Sequence, residues 1–162
     1  MRILGIDPGI GRCGWAVIEV QSSKFKVQSY GCIETSSKKR VEERLKEIYD
    51  QILEIIKKYK PEVLSIEELF FNNNAKTVFV VGQARGVILL AAAEKSITIA
   101  IYTPLQVKIA VTGYGRAEKS QIGQMVKTIL KLKTIPKPDD TSDALAVALT
   151  HAFSAKIAKI SK

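Results

Sequence analysis

The chain has 162 residues, 46% hydrophobic and 25% charged, a size and balance that suit one globular domain with a real core. Lys and Arg total 25 against 16 Asp and Glu, and the net charge of +9 points to a polyanionic partner, nucleic acid ahead of an anionic membrane. The longest apolar run, Gly86 to Ala93, is far too short to span a bilayer, no basic amphipathic helix carries a Trp/Phe face, and Cys13 and Cys32 lack metal or redox spacing.

In chain order, Met1-Arg2 leads straight into a strand, so no signal peptide is expected and the chain reads as reduced and cytoplasmic. Ile3-Leu4-Gly5-Ile6 runs up to the single carboxylate of Asp7, and Pro8-Gly9 then stops the strand. Gly14–Val20 and Phe25–Thr35 read as two further strands of an antiparallel meander joined at Ser22-Ser23. A helix follows over 41–59, with Val41, Leu45, Ile48, Ile52, Ile55, Ile56 and Tyr59 on one face. Pro61 closes it, and residues 62–67 form a fourth strand ending at Glu67. Asn72-Asn73-Asn74 marks a loop before a long apolar helix over 76–95. A fifth strand over 97–102 is followed by a short helix from Pro104 to about Val111, and Gly113-Tyr114-Gly115-Arg116 makes a basic loop. Residues 118–132 read as a helix, 133–138 as a Pro-punctuated linker, and the last helix runs from about Asp139 to Ile160. Three strands followed by helices alternating with two more give an α/β domain over 1–162, a five-stranded mixed sheet flanked by helices.

Acids stand where the local pattern does not ask for them. Asp7 and Glu67 end strands, and Asp139, Asp140 and Asp143 crowd the start of the last helix. Each has a plain structural reading: a turn for Asp7, a solvated strand end for Glu67, helix capping for the aspartates. Asp140 and Asp143, three apart, share a helical face. If the first and fourth strands are parallel neighbours, their carboxyl ends meet where α/β sheets bind ligands. Carboxylates about 4 Å apart repel by roughly 4 kcal/mol at an effective dielectric of 20, so such a site protonates one or holds a cation. Oxygen donors without His or Cys favour Mg2+, then Mn2+. An acidic metal site in a basic protein points to phosphodiester chemistry.

Ile6-Asp7-Pro8-Gly9, Ile66-Glu67-Glu68-Leu69-Phe70, Gly82-Gln83-Ala84-Arg85-Gly86, Ala117-Glu118-Lys119-Ser120 and Asp140-Thr141-Ser142-Asp143-Ala144-Leu145-Ala146 resemble, in order and spacing, the successive motifs of the RuvC family. These are Holliday-junction resolvases of RNase H-like fold. The resemblance implies a homodimer that sets two active sites on four-way junction DNA and makes paired symmetric nicks, with RuvA and RuvB as partners. It implies Asp7, Glu67, Asp140 and Asp143 as catalytic metal ligands, selecting Asp140 and leaving Asp139 as the cap. It also selects Glu67 over Glu68, which stands where the family commonly has Gln. Two Mg2+ per site are expected, with Asp7 bridging, Glu67 on one ion and Asp140 and Asp143 on the other. Lys108, Lys119 and Arg116 are the expected DNA-backbone contacts, and Phe70 the residue that stacks on an unpaired base at the junction centre. Gly82, Ala84 and Gly86 would let the long helix pack against a two-fold mate. His151 is read as a packing residue.

Two rival readings remain open on the residues, and a third, a non-catalytic junction binder, is disfavoured because all four acidic positions are filled. An RNase H-like nuclease could act on structured RNA. An actin/sugar-kinase nucleotide-binding domain uses a D-x-G turn like Asp7-Pro8-Gly9, although 162 residues leave no room for its second lobe.

Overall fold

The computed structural model describes residues 1–22, 24–69 and 75–160. Five strands form one sheet: β1 (Arg2–Asp7), β2 (Arg12–Gln21), β3 (Lys24–Glu34), β4 (Val63–Glu67) and β5 (Thr98–Tyr102). Their order is β3-β2-β1-β4-β5. β1 runs antiparallel to β2 and parallel to β4, and β4 runs parallel to β5. The expected mixed sheet and the adjacency of the first and fourth strands are therefore both present.

Helices cover the two faces. On one lie α1 (Val41–Tyr59) and α2 (Ala75–Glu94); on the other lie α3 (Pro104–Thr112), α4 (Lys119–Ile129) and α5 (Asp139–Ile160). Strand alternation sorts the core between them. In β1, Ile3 joins the α3–α4–α5 side while Leu4 and Ile6 join the α1–α2 side. In α1 the stripe read from sequence is buried through Ile48, Ile52, Ile55 and Ile56, each worth about 1.5–3 kcal/mol of burial. Lys60 caps that helix in the left-handed region, its N–H donating to Ile56 O at 2.8 Å, before Pro61.

Two glycines set how closely α5 approaches the sheet. A Cβ on Gly5 would stand 2.2 Å from Ala144 O, and one on Gly14 would stand 2.0 Å from Asp140 O. Only hydrogen fits at those crossings. α5 answers with small residues, Ala144, Ala148 and Ala152, all buried. Ser65 on β4 donates to Val147 O at 2.9 Å, tying the same helix to the neighbouring strand.

Several boundaries shift by one or two residues, β2 starting at Arg12 rather than Gly14, and the largest difference is at the end of α4. α4 ends at Ile129 rather than Leu132: Lys131 enters the left-handed region at φ 54°, and Leu132 N–H donates to Lys127 O at 2.9 Å. That ending is usually marked by glycine, and here a lysine fills it. Among the described residues no helix is long and apolar enough to cross a membrane. Cys13 and Cys32 are both free thiols.

Candidate functional site

The same alternation that sorts the core gathers the acids. Ile3, Gly5 and Asp7 of β1 face α5, as do Ser65 and Glu67 of β4, because successive odd positions share a face. Both strands run the same way, so Asp7 and Glu67 arrive together at their carboxyl ends. α5 starts at that edge and supplies Asp143 one turn in. Asp7, Glu67 and Asp143 line a cleft of about 560 Å³, and its lining includes Lys108 from α3, Lys119 from the start of α4, and Arg116 from the loop between them. The three expected acids, from three distant stretches of chain, thus share one concavity with three cations. Glu68 and Glu118 line it as well.

The electrostatics show how tightly the acids crowd. Asp7 is pushed up from 3.8 to about 7, first by burial and then by Asp143, Glu67 and Asp140, with Lys119 acting against them. Glu67 is raised by burial and by Asp143, and opposed by Lys119 and Lys108. Lys119 Nζ donates to Asp143 Oδ2 at 2.8 Å, and that hydrogen bond raises the lysine's own pKa. Lys119 is thus the main local answer to the negative charge.

Asp139 and Asp140 divide differently from expectation. Asp139 is the first residue of α5, and its carboxylate accepts from Lys137 Nζ at 2.5 Å instead of capping a backbone N–H. The expected cap is therefore an exposed side-chain ion pair. Asp140 stands at the β2 side of the helix and does not line the cleft, although its charge reaches Asp7. Its Oδ2 is buried and receives no hydrogen bond among the described residues, while Arg12 Nε lies 3.2 Å away without the alignment of one. Asp140 and Asp143 share a helical face as expected, yet their nearest cations come from β2 and α4 respectively.

Among the described residues no three acids are drawn together closely enough to hold a metal ion as they stand. The donor set nevertheless fits a hard divalent cation: carboxylate oxygens only, one of them buried without a donor, and an Asp7 whose ionisation is resisted until positive charge arrives. Phe70, expected at the junction centre, lies outside the described residues. His151 accepts or donates to the Tyr102 hydroxyl at 2.8 Å and is half-buried, which is the packing role expected of it.

Reading along the sequence missed Arg12, Gly5 and Gly14. Counting back by two from Gly14 along β2 places Arg12 on the α5 face, but only the strand's register against the helix shows that it meets Asp140.

Sheet order, acid placement and the cation-lined cleft define a nuclease of RNase H-like fold. The family model described as crossover junction endodeoxyribonuclease RuvC matches residues 3–151. A relative of that name from Desulforamulus reducens is 55% identical over 152 residues, covering 94% of this chain and 93% of its own. A structure of Thermus thermophilus RuvC superposes with a TM-score of 0.91 at 38% identity, covering 98% of this chain and 97% of that one. The T. thermophilus protein in complex with a Holliday junction substrate gives 0.89 at 36% identity, with 97% and 96% covered. The chain belongs to the RuvC family of crossover junction endodeoxyribonucleases.

Proposed function

We propose that this chain, acting as one nuclease domain over 1–162, resolves four-way DNA junctions by paired symmetric nicks, using divalent ions held by Asp7, Glu67, Asp140 and Asp143. The observation that carries the reading is the single cleft shared by Asp7, Glu67 and Asp143 with Lys108, Arg116 and Lys119. Bound there, Mg2+ would supply Lewis acidity to the scissile phosphodiester and to the attacking water. The protein's own part is placement and charge. Burial and neighbouring carboxylates keep Asp7 from ionising freely, so it is poised to accept a cation in place of a proton. Lys119 opens α4 and lines the cleft, and a cation at a helix start favours a phosphate. Lys108 and Arg116 extend positive charge along the wall, where a DNA backbone would follow it. Phe70 is proposed to stack at the junction centre.

The symmetric pair of nicks requires a homodimer. α2 supports one: Phe79 and Leu90 are 69% and 53% exposed on a helix whose other side packs against α1 and the sheet, and a Cβ on Gly86 between them would meet nothing within 4 Å among the described residues. RuvA and RuvB are proposed as the machinery around it. The test is cleavage of a synthetic mobile junction with Mg2+ as the variable and both product ends mapped. Symmetric nicks in opposing strands, absent in EDTA, are expected. Equal cutting of linear duplex, or preference for structured RNA, would overturn the junction assignment. Mn2+ should substitute.

A further inference from the structure

We infer that Arg12 is a positioning residue for Asp140: its guanidinium holds the Asp140 carboxylate at the edge of the acid cluster, so that the first turn of α5 can contribute to cation binding. The inference rests on the proposed role of Asp140 as a ligand.

The geometry begins with register. Arg12, Gly14 and Ala16 alternate onto the α5 face of β2. Gly14 touches the Asp140 main chain so closely that a Cβ would sit 2.0 Å from Asp140 O. That contact fixes the strand against the helix two residues from Arg12. Thr141 adds a second tie, its hydroxyl donating to Gly31 O on β3 at 3.3 Å. The turn on the other side of Arg12 is braced as well. Thr35 N–H donates to Gly11 O at 3.0 Å, Arg44 Nε donates to Thr35 Oγ1 at 2.8 Å, and that hydroxyl donates to Ile10 O. Arg12 therefore leaves a backbone held from both ends, and its reach to Asp140 is set by the sheet.

The choice of carboxylate is equally specific. Of the adjacent aspartates, Asp139 is engaged by Lys137, with both side chains more than 60% exposed. Asp140 is 23% exposed and its Oδ2 is buried, with Arg12 Nε at 3.2 Å as its cation. Lys119, the other cation at the helix start, is committed to Asp143. Each of the three aspartates thus has its own cation from a different stretch of chain, and Arg12 is the one assigned to Asp140. The Arg12 side chain, 57% exposed, leaves from the braced start of β2, and a planar guanidinium loses less freedom in pairing with a carboxylate than an ammonium does.

The test measures binding of Mn2+ alone to the full-length, DNA-free protein by calorimetry, for wild type, Arg12→Ala, Arg12→Lys and Asp140→Asn. Arg12→Ala should weaken Mn2+ binding by about 3- to 10-fold, Arg12→Lys should recover part of the loss, and Asp140→Asn should weaken it at least as much as Arg12→Ala. Combined in one chain, Arg12→Ala and Asp140→Asn should cost little more than Asp140→Asn alone. Thermal unfolding in EDTA separates a folding defect from this effect, since a positioning role leaves Arg12→Lys at the wild-type melting temperature. Unchanged or tighter Mn2+ binding in Arg12→Ala, with Asp140→Asn impaired, would overturn the inference and leave the ligand assignment standing. Unchanged binding in Asp140→Asn would instead remove Asp140 from the ligand set, and the positioning role with it.

Discussion

Replacing Asp7 by Asn should make the metal-free protein more stable while abolishing its cleavage. The acid is raised from 3.8 to about 7 by burial and by three neighbouring carboxylates. One pKa unit is worth about 1.36 kcal/mol, so at pH 8 the ionised Asp7 opposes folding by up to about 4 kcal/mol, and relaxation of the site brings the expected figure to about 2–4 kcal/mol. Between pH 4 and 7 the folded chain binds this proton more tightly than the unfolded chain. The favourable contribution is complete below pH 4 and lost as pH rises through 7. Asn is nearly isosteric and never ionises. Asp7→Asn should therefore match wild type near pH 4, gain through neutrality, and melt about 5–15 °C higher at pH 8 in EDTA. Adding Mg2+ should stabilise wild type and leave Asp7→Asn unmoved. Junction binding in EDTA should persist in the variant, and nicking should vanish. Thermal denaturation at pH 4, 6 and 8, with and without Mg2+, measures each expectation. Parallel pH profiles for the two proteins, or equal stabilisation of both by Mg2+, would refute the reasoning that crowded carboxylates define the ion site.

Three further outcomes follow from other contacts. Lys119→Ala removes the hydrogen bond to Asp143 and one cation from the cleft, and single-turnover nicking at saturating Mg2+ should fall by about 10²-fold. Gly14→Ala drives a Cβ to 2.0 Å from Asp140 O, so α5 must shift; a loss of about 3 kcal/mol, or about 6–12 °C in melting temperature, is expected, and a wild-type melt would contradict the close crossing. His151 is held below its usual pKa by burial, so the unfolded chain binds its proton more readily. Stability from this residue is present above the ordinary histidine range and lost as pH falls below it, and His151→Gln should flatten that part of the urea-denaturation profile.

How much of this was legible beforehand depends on the range of the signal involved. α1 could be read because seven apolar residues at helical spacing carry their own periodicity, and Pro61 ends it regardless of what packs against it. Asp7 and Glu67 were readable as anomalies: a charge ending an apolar strand is a local violation, and two such strands suffice to suggest that their ends meet. The end of α4 was not readable, because Lys131 takes a conformation normally signalled by glycine, and the hydrogen bonds to Thr128 O and Lys127 O that repay it involve only backbone. The split between Asp139 and Asp140 was legible only through the family resemblance, not from the local residues. Both are acceptable in the first turn of a helix, and what separates them is Arg12, whose position relative to α5 is fixed by how close Gly14 lets the helix come. The site thus reads in two layers. Strand alternation, a property of each strand alone, turns Asp7, Glu67 and Arg12 toward one face. The missing side chains of Gly5 and Gly14, which leave no mark in composition or periodicity, set the depth at which α5 brings its aspartates to meet them. A site built from charges can be anticipated from charges, but its geometry here is set by two hydrogens.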